Sequence, residues 1–143
     1  MSYFKYLLSG LSAFCLSGAA DAMAFPSLDS LVGREMSGQS ASGPCSVTIK
    51  DHASDQPNYG HIGLYVLIRQ NGQSYMAFNL NDELRAKFAR QTNPILIQRD
   101  RESMANGDLE FSFALDGQNQ RITQFTGFMT GWHGIRIDFN CRF

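Results

Sequence analysis

Residues 135–143 read I-R-I-D-F-N-C-R-F, and this stretch decides the fold. Apolar side chains occupy every second position, and charged or amide side chains occupy the positions between them. Because successive side chains of a strand point to opposite faces of its sheet, the pattern predicts a half-buried strand. Ile135, Phe139 and Cys141 are expected on its inner face.

A second cysteine lies on an early strand with the same pattern. Cys45 is in phase with Val47 and Ile49, so all three are expected to face the core. Cys45 and Cys141 therefore point into the same interior from opposite ends of the chain. Whether they form a disulfide depends on the compartment.

The first 24 residues have the pattern of a secretory signal peptide. Lys5 precedes a small and apolar stretch over 7–20, and the triplet A-M-A at 22–24 suits a signal peptidase. The apolar stretch is shorter than the roughly 20 residues of a membrane-spanning helix. Cys15 follows the bulky Phe14, which argues against a lipid-attachment cysteine. We expect a signal peptide at 1–24 and one β-rich domain at 25–143, located in the periplasm or secreted.

Cleavage after residue 24 leaves Cys45 and Cys141 as the two cysteines of the mature chain. In an oxidising compartment such an isolated pair is expected to form a disulfide. The two cysteines lie 96 positions apart, and closing so long a loop stabilises by roughly 4–5 kcal/mol in the chain-entropy model. The prediction is a disulfide that joins the first and last strands.

The charge balance excludes some partner classes. The formal net charge is −1, and the signal peptide removes one base and one acid, so the mature chain keeps that value. We therefore expect neither nucleic acid nor an anionic membrane surface as a partner. The chain has no Asn-x-Ser/Thr sequon, which favours a bacterial exported protein over a eukaryotic glycoprotein.

The clearest turn signal is Asn71-Gly72. It separates the apolar run 62–68 from the strand-like run 73–80, and Asn-Gly between two such runs predicts a hairpin with a type I′ turn. By contrast, Ser37–Gly43 is small and polar and is expected to be a loop or turn.

One short helix is expected over about 82–90. Asn81 or Asp82 could cap its start, and Leu84 and Phe88, spaced i and i+4, form the stripe that would dock on the sheet. The remaining patterns predict about seven or eight strands. The fold expected is a small antiparallel β-barrel with a disulfide between its first and last strands; the alternative is a two-sheet β-sandwich.

The sequence contains none of the common enzyme motifs that we considered. The sequence lacks G-x-S-x-G, H-E-x-x-H, a Walker loop and the dinucleotide fingerprint, so we expect no cofactor and more likely no catalysis. Asp51, His52, Asp55 and His61 could hold zinc if their loop folded back, but their spacing matches no known frame and a solvated loop is favoured. The enzyme alternative is a small periplasmic hydrolase that uses His133 or His61 with a carboxylate.

The segment 127–134, G-F-M-T-G-W-H-G, is the best predicted binding region. Trp132, His133 and Phe128 lie among its glycines, and aromatic side chains at exposed turns are favoured binding anchors. With Tyr59 and His61 they define the predicted ligand-facing end. In the alternative, Trp132 folds back and plugs one end of the barrel.

The alternation that ends at Phe143 resembles the C-terminal signal of bacterial outer-membrane barrels, although the resemblance covers nine residues. A membrane barrel needs strands of about 9–11 residues, and eight of them would use most of the mature chain. A small outer-membrane barrel is therefore kept only as an alternative. The function expected is an exported bacterial binding module, such as an inhibitor or accessory of another exported protein. Its partner is a protein, or a small ligand held in the barrel mouth.

Overall fold

The computed structural model describes residues 25–51, 63–77, 80–99, 108–131 and 134–143. Two helices and eight strands lie in these ranges. In chain order they are α1 (Leu28–Leu31), β1 (Glu35–Ser40), β2 (Gly43–Asp51), β3 (Leu64–Gln70), β4 (Gln73–Ala77), α2 (Asn81–Ala89), β5 (Ile95–Arg99), β6 (Leu109–Leu115), β7 (Ile122–Thr130) and β8 (Arg136–Arg142).

The described strands form one antiparallel sheet in the order β4-β3-β2-β1-β8-β7-β6-β5. It consists of two meanders, β1–β4 and β5–β8, which meet at β1 and β8. The predicted mainly β antiparallel class is confirmed. Strands β4 and β5 form the two edges of the described sheet, so the sheet is not closed. The choice between a barrel and a two-sheet sandwich therefore stays open.

The Asn71-Gly72 hairpin is confirmed. Asn71 has φ 57° and Gly72 has φ 72°, the two positive values that a type I′ turn requires. The flanking residues Gln70 and Gln73 pair directly across the turn. This turn fixes the register of β4 on β3.

The loop expected over 37–43 is wrong for its first half, because β1 occupies 35–40. Its sequence, E-M-S-G-Q-S, is poor in the β-branched and aromatic residues that favour strands. The strand forms because a two-residue turn at 41–42 folds it back along β2, with Ser40 opposite Gly43 and Glu35 opposite Thr48. Long-range pairing here overrides local propensity.

The predicted disulfide between Cys45 and Cys141 is confirmed. Cys45 lies on β2 and Cys141 on β8, and their Cα atoms are 5.9 Å apart although β1 separates the two strands in the sheet. Since neighbouring strands are about 4.8 Å apart, a flat sheet would hold these strands at about twice that distance. The sheet is therefore sharply folded at β1.

Gly38 makes this fold possible. It pairs with Cys45, and a Cβ atom at this position would lie 1.9 Å from the carbonyl oxygen of Arg142. The backbone of β8 thus passes directly over β1 where β1 has no side chain.

The side chain of Gln70 on β3 also links the two meanders, through hydrogen bonds to β8. The only strand pairing between β1 and β8 in the described residues is Gln39 with Arg142. Further along β8, Gln70 Nε2 donates to the carbonyl oxygen of Asp138 at 3.1 Å, and the Asn140 N–H donates to Gln70 Oε1 at 3.3 Å. The side-chain amide of Gln70 therefore satisfies two backbone groups that a neighbouring strand would otherwise bind.

The core is built from the alternation that the sequence predicted. In β6 the buried positions are Leu109, Phe111, Phe113 and Leu115, with intermediate positions between them. Phe139 and Cys141 of β8 are buried as expected. Ile135 is an exception: it is 64% exposed, because it precedes the first paired residue of β8 and lies beyond the core.

The predicted helix is confirmed as α2, with Leu84 and Phe88 buried. The predicted cap is not: Leu80 occupies the N-cap position without a side-chain hydrogen bond, and Asn81 Oδ1 instead accepts from the Leu64 N–H. Glu83 accepts from the Gln98 N–H at 2.9 Å, so α2 covers part of the β5 edge. No helix in the described ranges is long and apolar enough to cross a membrane.

The turn between β6 and β7 is organised by Asp116. Its Oδ1 accepts from the Gln120 N–H at 2.8 Å and the Gln118 N–H at 3.2 Å, and Arg121 Nε lies 3.5 Å from Oδ2. These contacts, that from Gln120 foremost, stabilise the carboxylate and lower the pKa of Asp116 below 3.8.

The carboxylate of Asp116 should therefore stabilise the fold fully at pH values above its pKa in the unfolded chain, which is near 4. This stabilisation should be lost as the pH falls through the lower pKa that Asp116 has in the folded protein. Asp116→Asn should lower the free energy of unfolding at neutral pH, and the deficit should shrink below about pH 4. Urea unfolding at pH 7 and at pH 3 measures both. A deficit that stays constant between these pH values would contradict the assignment.

Candidate binding groove

The interior between the two meanders is filled with aromatic rings. The ring centroid of Phe125 lies 5.1 Å from that of Phe111 and 5.0 Å from that of Phe113, and all three side chains are fully buried. Tyr75 of the first meander meets Phe139 of the second with centroids 5.3 Å apart. Interdigitated rings at these distances form a packed core. The space open to a ligand among the described residues therefore lies on the outer faces of the sheet.

A depression lies on the outer face of β1, β2 and β3, and we call it the β1–β3 groove. Its volume is about 790 Å³, within the range of about 300–1,000 Å³ that is typical of ligand pockets. Its polar lining residues are Glu35, Ser37, Gln39, Ser42, Ser46, Arg69, Gln70 and Asn71.

The groove is held by rigid elements. The turn at 41–42 and the Asn71-Gly72 turn border one end, and Cys45 lies in its floor. The disulfide ties Cys45 to β8 directly beneath. Because the floor is covalently anchored and both turns are short, the groove is held in one shape by the fold itself.

An ion pair crosses the groove from β1 to β3. Arg69 Nη1 lies 3.6 Å from Glu35 Oε1, and the two side chains are 57% and 47% exposed. An exposed pair of this kind contributes little to folding, about 0–1 kcal/mol. Both charges are therefore accessible to a partner, and together they leave the groove nearly neutral.

A second space adjoins the same strand. We call it the Arg34 crevice; it lies between β1 and the start of β7 and has a volume of about 330 Å³. Its lining combines the apolar Leu31, Met36, Ile122 and Phe143 with the cationic Arg34 and Arg121. The crevice and the β1–β3 groove share Glu35 and Ser37.

Phe128, one of the predicted binding residues, is on the outer face of the second meander. The Arg136 guanidinium stacks on its ring, 3.8 Å from the centroid, and Arg136 Nε donates to Asp138 Oδ1 at 2.8 Å. We call these three residues the Phe128 surface. It offers an aromatic ring and two exposed charges, but none of the pockets described above includes it.

The other predicted site residues lie outside the described residues: Trp132, His133, Tyr59 and His61. The loop weighed and disfavoured as a zinc site also lies outside the described residues, apart from Asp51, which ends β2. Within the described ranges, no three His, Cys, Asp or Glu side chains come together as a metal site. The ligand-facing role of the predicted set stays a prediction.

Sequence reasoning missed the groove because it missed β1. The signal was present: Glu35, Ser37 and Gln39 alternate with less polar residues, as in a strand with one wet face. The pairing that brings them beside Arg69 is not visible locally, since 34 positions separate Glu35 from Arg69 in the chain.

Comparison with protein-family models, curated proteins and solved structures finds no match to this chain.

Proposed function

We propose that this protein is an exported binding module that holds another exported protein, as its inhibitor or accessory, through the β1–β3 groove. The observation that carries the proposal is the contrast between the aromatic-filled core and a groove anchored by the disulfide. A filled core argues against a small ligand inside the fold. A pre-formed outer groove loses little conformational entropy when it binds, which favours rigid protein–protein contact.

The export part of the proposal rests on two features. The first 24 residues have the pattern of a signal peptide. The Cys45–Cys141 disulfide suits an oxidising compartment, the periplasm or the cell exterior.

The groove is tested with two matched arginine variants. Arg69 and Arg136 each pair with a carboxylate and are each 57% exposed, but Arg69 lies in the groove and Arg136 on the Phe128 surface. Neither replacement should unfold the protein, because both ion pairs are exposed. We expect Arg69→Ala to weaken partner binding at least about tenfold and Arg136→Ala to change it less than about twofold.

The measurement is capture of partners from the native exterior or periplasm with tagged, non-reduced protein, followed by titration of the captured partner against both variants. Capture of no partner would refute the binding function. Loss of affinity with Arg136→Ala alone would transfer the binding site to the Phe128 surface and refute the groove.

A further inference from the structure

A buried hydroxyl group in the β1–β3 groove has no partner in the described part of the protein. Ser46 of β2 lines the groove and is only 7% exposed. Its side chain lies on the outer face of the sheet, because its neighbours Cys45 and Val47 are buried on the inner face. The Ser46 hydroxyl makes no hydrogen bond to any described residue. Since buried polar groups are almost always hydrogen-bonded, this hydroxyl points to a ligand that completes its bonding.

The other polar side chains of the groove do not point to a ligand in this way. The Gln70 amide is bonded to β8, and the Ser42 hydroxyl is bonded to that of Ser40. The side chains of Gln39 and Asn71 are exposed, so water can satisfy them. Ser46 is therefore the residue that indicates where a bound group would lie.

The strand register places Ser46 beside the ion pair that crosses the groove. Ser46 is opposite Ser37 on β1 and opposite Arg69 on β3. Two residues further along β2, Thr48 is opposite Glu35. Side chains directly opposite each other on neighbouring strands have Cβ atoms about 5 Å apart. The pair of Glu35 and Arg69 therefore crosses β2 next to the Ser46 hydroxyl.

The ion pair has unused hydrogen-bonding capacity. Arg69 Nη1 and Glu35 Oε1 are 3.6 Å apart, which is too long for a hydrogen bond. A guanidinium group carries several N–H donors, and both oxygens of a carboxylate accept. Neither side chain makes a hydrogen bond to the described part of the chain. The groove thus presents a free donor and a free acceptor side by side.

A carboxamide matches this donor and acceptor. Its oxygen and nitrogen are about 2.3 Å apart, because both are bonded to one carbon atom. With hydrogen bonds of about 2.9 Å, its oxygen can accept from Arg69 while its nitrogen donates to Glu35, and together they span the gap of 3.6 Å. The other lone pair of the carboxamide oxygen is then available to the Ser46 hydroxyl.

Charged groups fit this place less well than a carboxamide. A carboxylate would lie beside the carboxylate of Glu35, and an ammonium group would lie beside the guanidinium of Arg69. Like charges placed together at an interface oppose binding, so the pair disfavours ligands of either sign. The chemistry that the pair and Ser46 select is neutral, with a donor and an acceptor on one carbon atom.

We propose that Glu35, Arg69 and Ser46 bind the side-chain carboxamide of an asparagine or glutamine of the partner protein. The carboxamide oxygen accepts from Arg69 and Ser46, and the carboxamide nitrogen donates to Glu35. The methylene groups of the bound residue lie along the outer face of β2, where Pro44 offers an apolar ring. This inference rests on the proposed function, since it names the group by which the groove recognises its partner.

The first test is an NMR titration with four capped pentapeptides, each with glutamine, glutamate, lysine or methionine at the centre and alanine elsewhere. The glutamine peptide should bind at least about tenfold more tightly than each of the others. It should also shift the amide resonances of Ser46 and Arg69 more than those of the Phe128 surface. Equal affinities for the four peptides, tighter binding of any of the other three, or no binding of the glutamine peptide at millimolar concentration would overturn the proposal.

Glu35→Gln tests the rejection of charge. This variant leaves the Arg69 guanidinium without its carboxylate, so the glutamate peptide should bind it at least about tenfold more tightly than it binds wild type. Asp138→Asn is the matched control, because it removes the carboxylate that pairs with Arg136 on the Phe128 surface. It should leave all four affinities within about twofold of wild type. A glutamate peptide that binds Glu35→Gln no better than wild type would contradict the role given to the ion pair.

Ser46→Ala isolates the hydroxyl. The variant removes a buried group that has no partner in the described chain, so its free energy of unfolding should not fall, whereas its affinity for the glutamine peptide should fall at least about fivefold. Thr48→Val is the control, since Thr48 is 6% exposed on the same strand but is not part of the groove lining. It should retain the affinity within about twofold. Wild-type affinity in Ser46→Ala, measured beside urea unfolding, would show that the hydroxyl binds nothing.

Carboxamide recognition and the groove function can fail separately. If the captured partner loses affinity with Arg69→Ala but binds Ser46→Ala like wild type, and the four peptides bind equally, the groove function stands and carboxamide recognition is wrong. If the glutamine peptide is preferred and depends on Ser46, but no exported partner is captured, carboxamide recognition stands and the proposed function is wrong.

Discussion

Removal of the Cys45–Cys141 disulfide should lower the free energy of unfolding by roughly 4–5 kcal/mol, the value for a loop of this length in the chain-entropy model. The typical stability of a domain is about 5–15 kcal/mol, so such a loss leaves little margin. The effect should be local as well as global. Among the described residues, strand pairing between β1 and β8 is limited to Gln39 with Arg142, and the disulfide is the covalent link between the meanders at this junction.

The double variant Cys45→Ala with Cys141→Ala, compared with oxidised wild type by urea unfolding, measures the loss. Hydrogen exchange in the same samples should show protection falling first along β8 around Asn140, where Gln70 depends on the junction. Reduced wild type is the control, and it should match the double variant within about 1 kcal/mol. A loss below about 1 kcal/mol would mean that packing alone holds the two meanders together.

The strands that could be predicted are those whose own sequence carries the pattern. In β6 and β8 an unbroken alternation identified the buried face, and Asn71-Gly72 identified a turn that needs two positive φ values. These signals are local, because each can be recognised from a few consecutive residues. The same holds for α2, whose Leu84 and Phe88 define one buried stripe.

What could not be predicted depends on contacts between distant segments. The strand β1 exists through β2 and β8, and its composition alone favours a loop. Ile135 obeys the alternation yet is exposed, since the core ends before it. Asn81 has the chemistry of a helix cap but bonds to Leu64, 17 positions away.

The candidate site was unpredictable for the same reason. Its charged pair joins Glu35 to Arg69, and its strand β1 is held by β2 and, at Gln39, by β8. Both follow from the register of the sheet. A single sequence does not show that register when one of the strands consists of small and polar residues.

Gly38→Ala should be the most damaging single replacement at this junction, with a loss of about 3 kcal/mol or slightly more. A Cβ here would lie 1.9 Å from the Arg142 carbonyl oxygen and 2.6 Å from the Arg142 carbonyl carbon, and both atoms are backbone. Overpacking against a flexible side chain can relax, whereas here β8 itself would have to move. Gly117→Ala is the control, because its Cβ would meet nothing within 4 Å, and it should change stability by less than about 1 kcal/mol.

Thermal and urea unfolding of both variants check these values, and intact mass under non-reducing conditions reports whether the disulfide still forms. If Gly38→Ala keeps the disulfide but loses stability, β8 has been displaced without being detached, and the strand pairing of Gln39 with Arg142 should be the first to break. If Gly38→Ala is as stable as Gly117→Ala, β8 does not rest on β1 at this point. The short distance between the Cα atoms of Cys45 and Cys141 would then have to come from a bend elsewhere in the sheet.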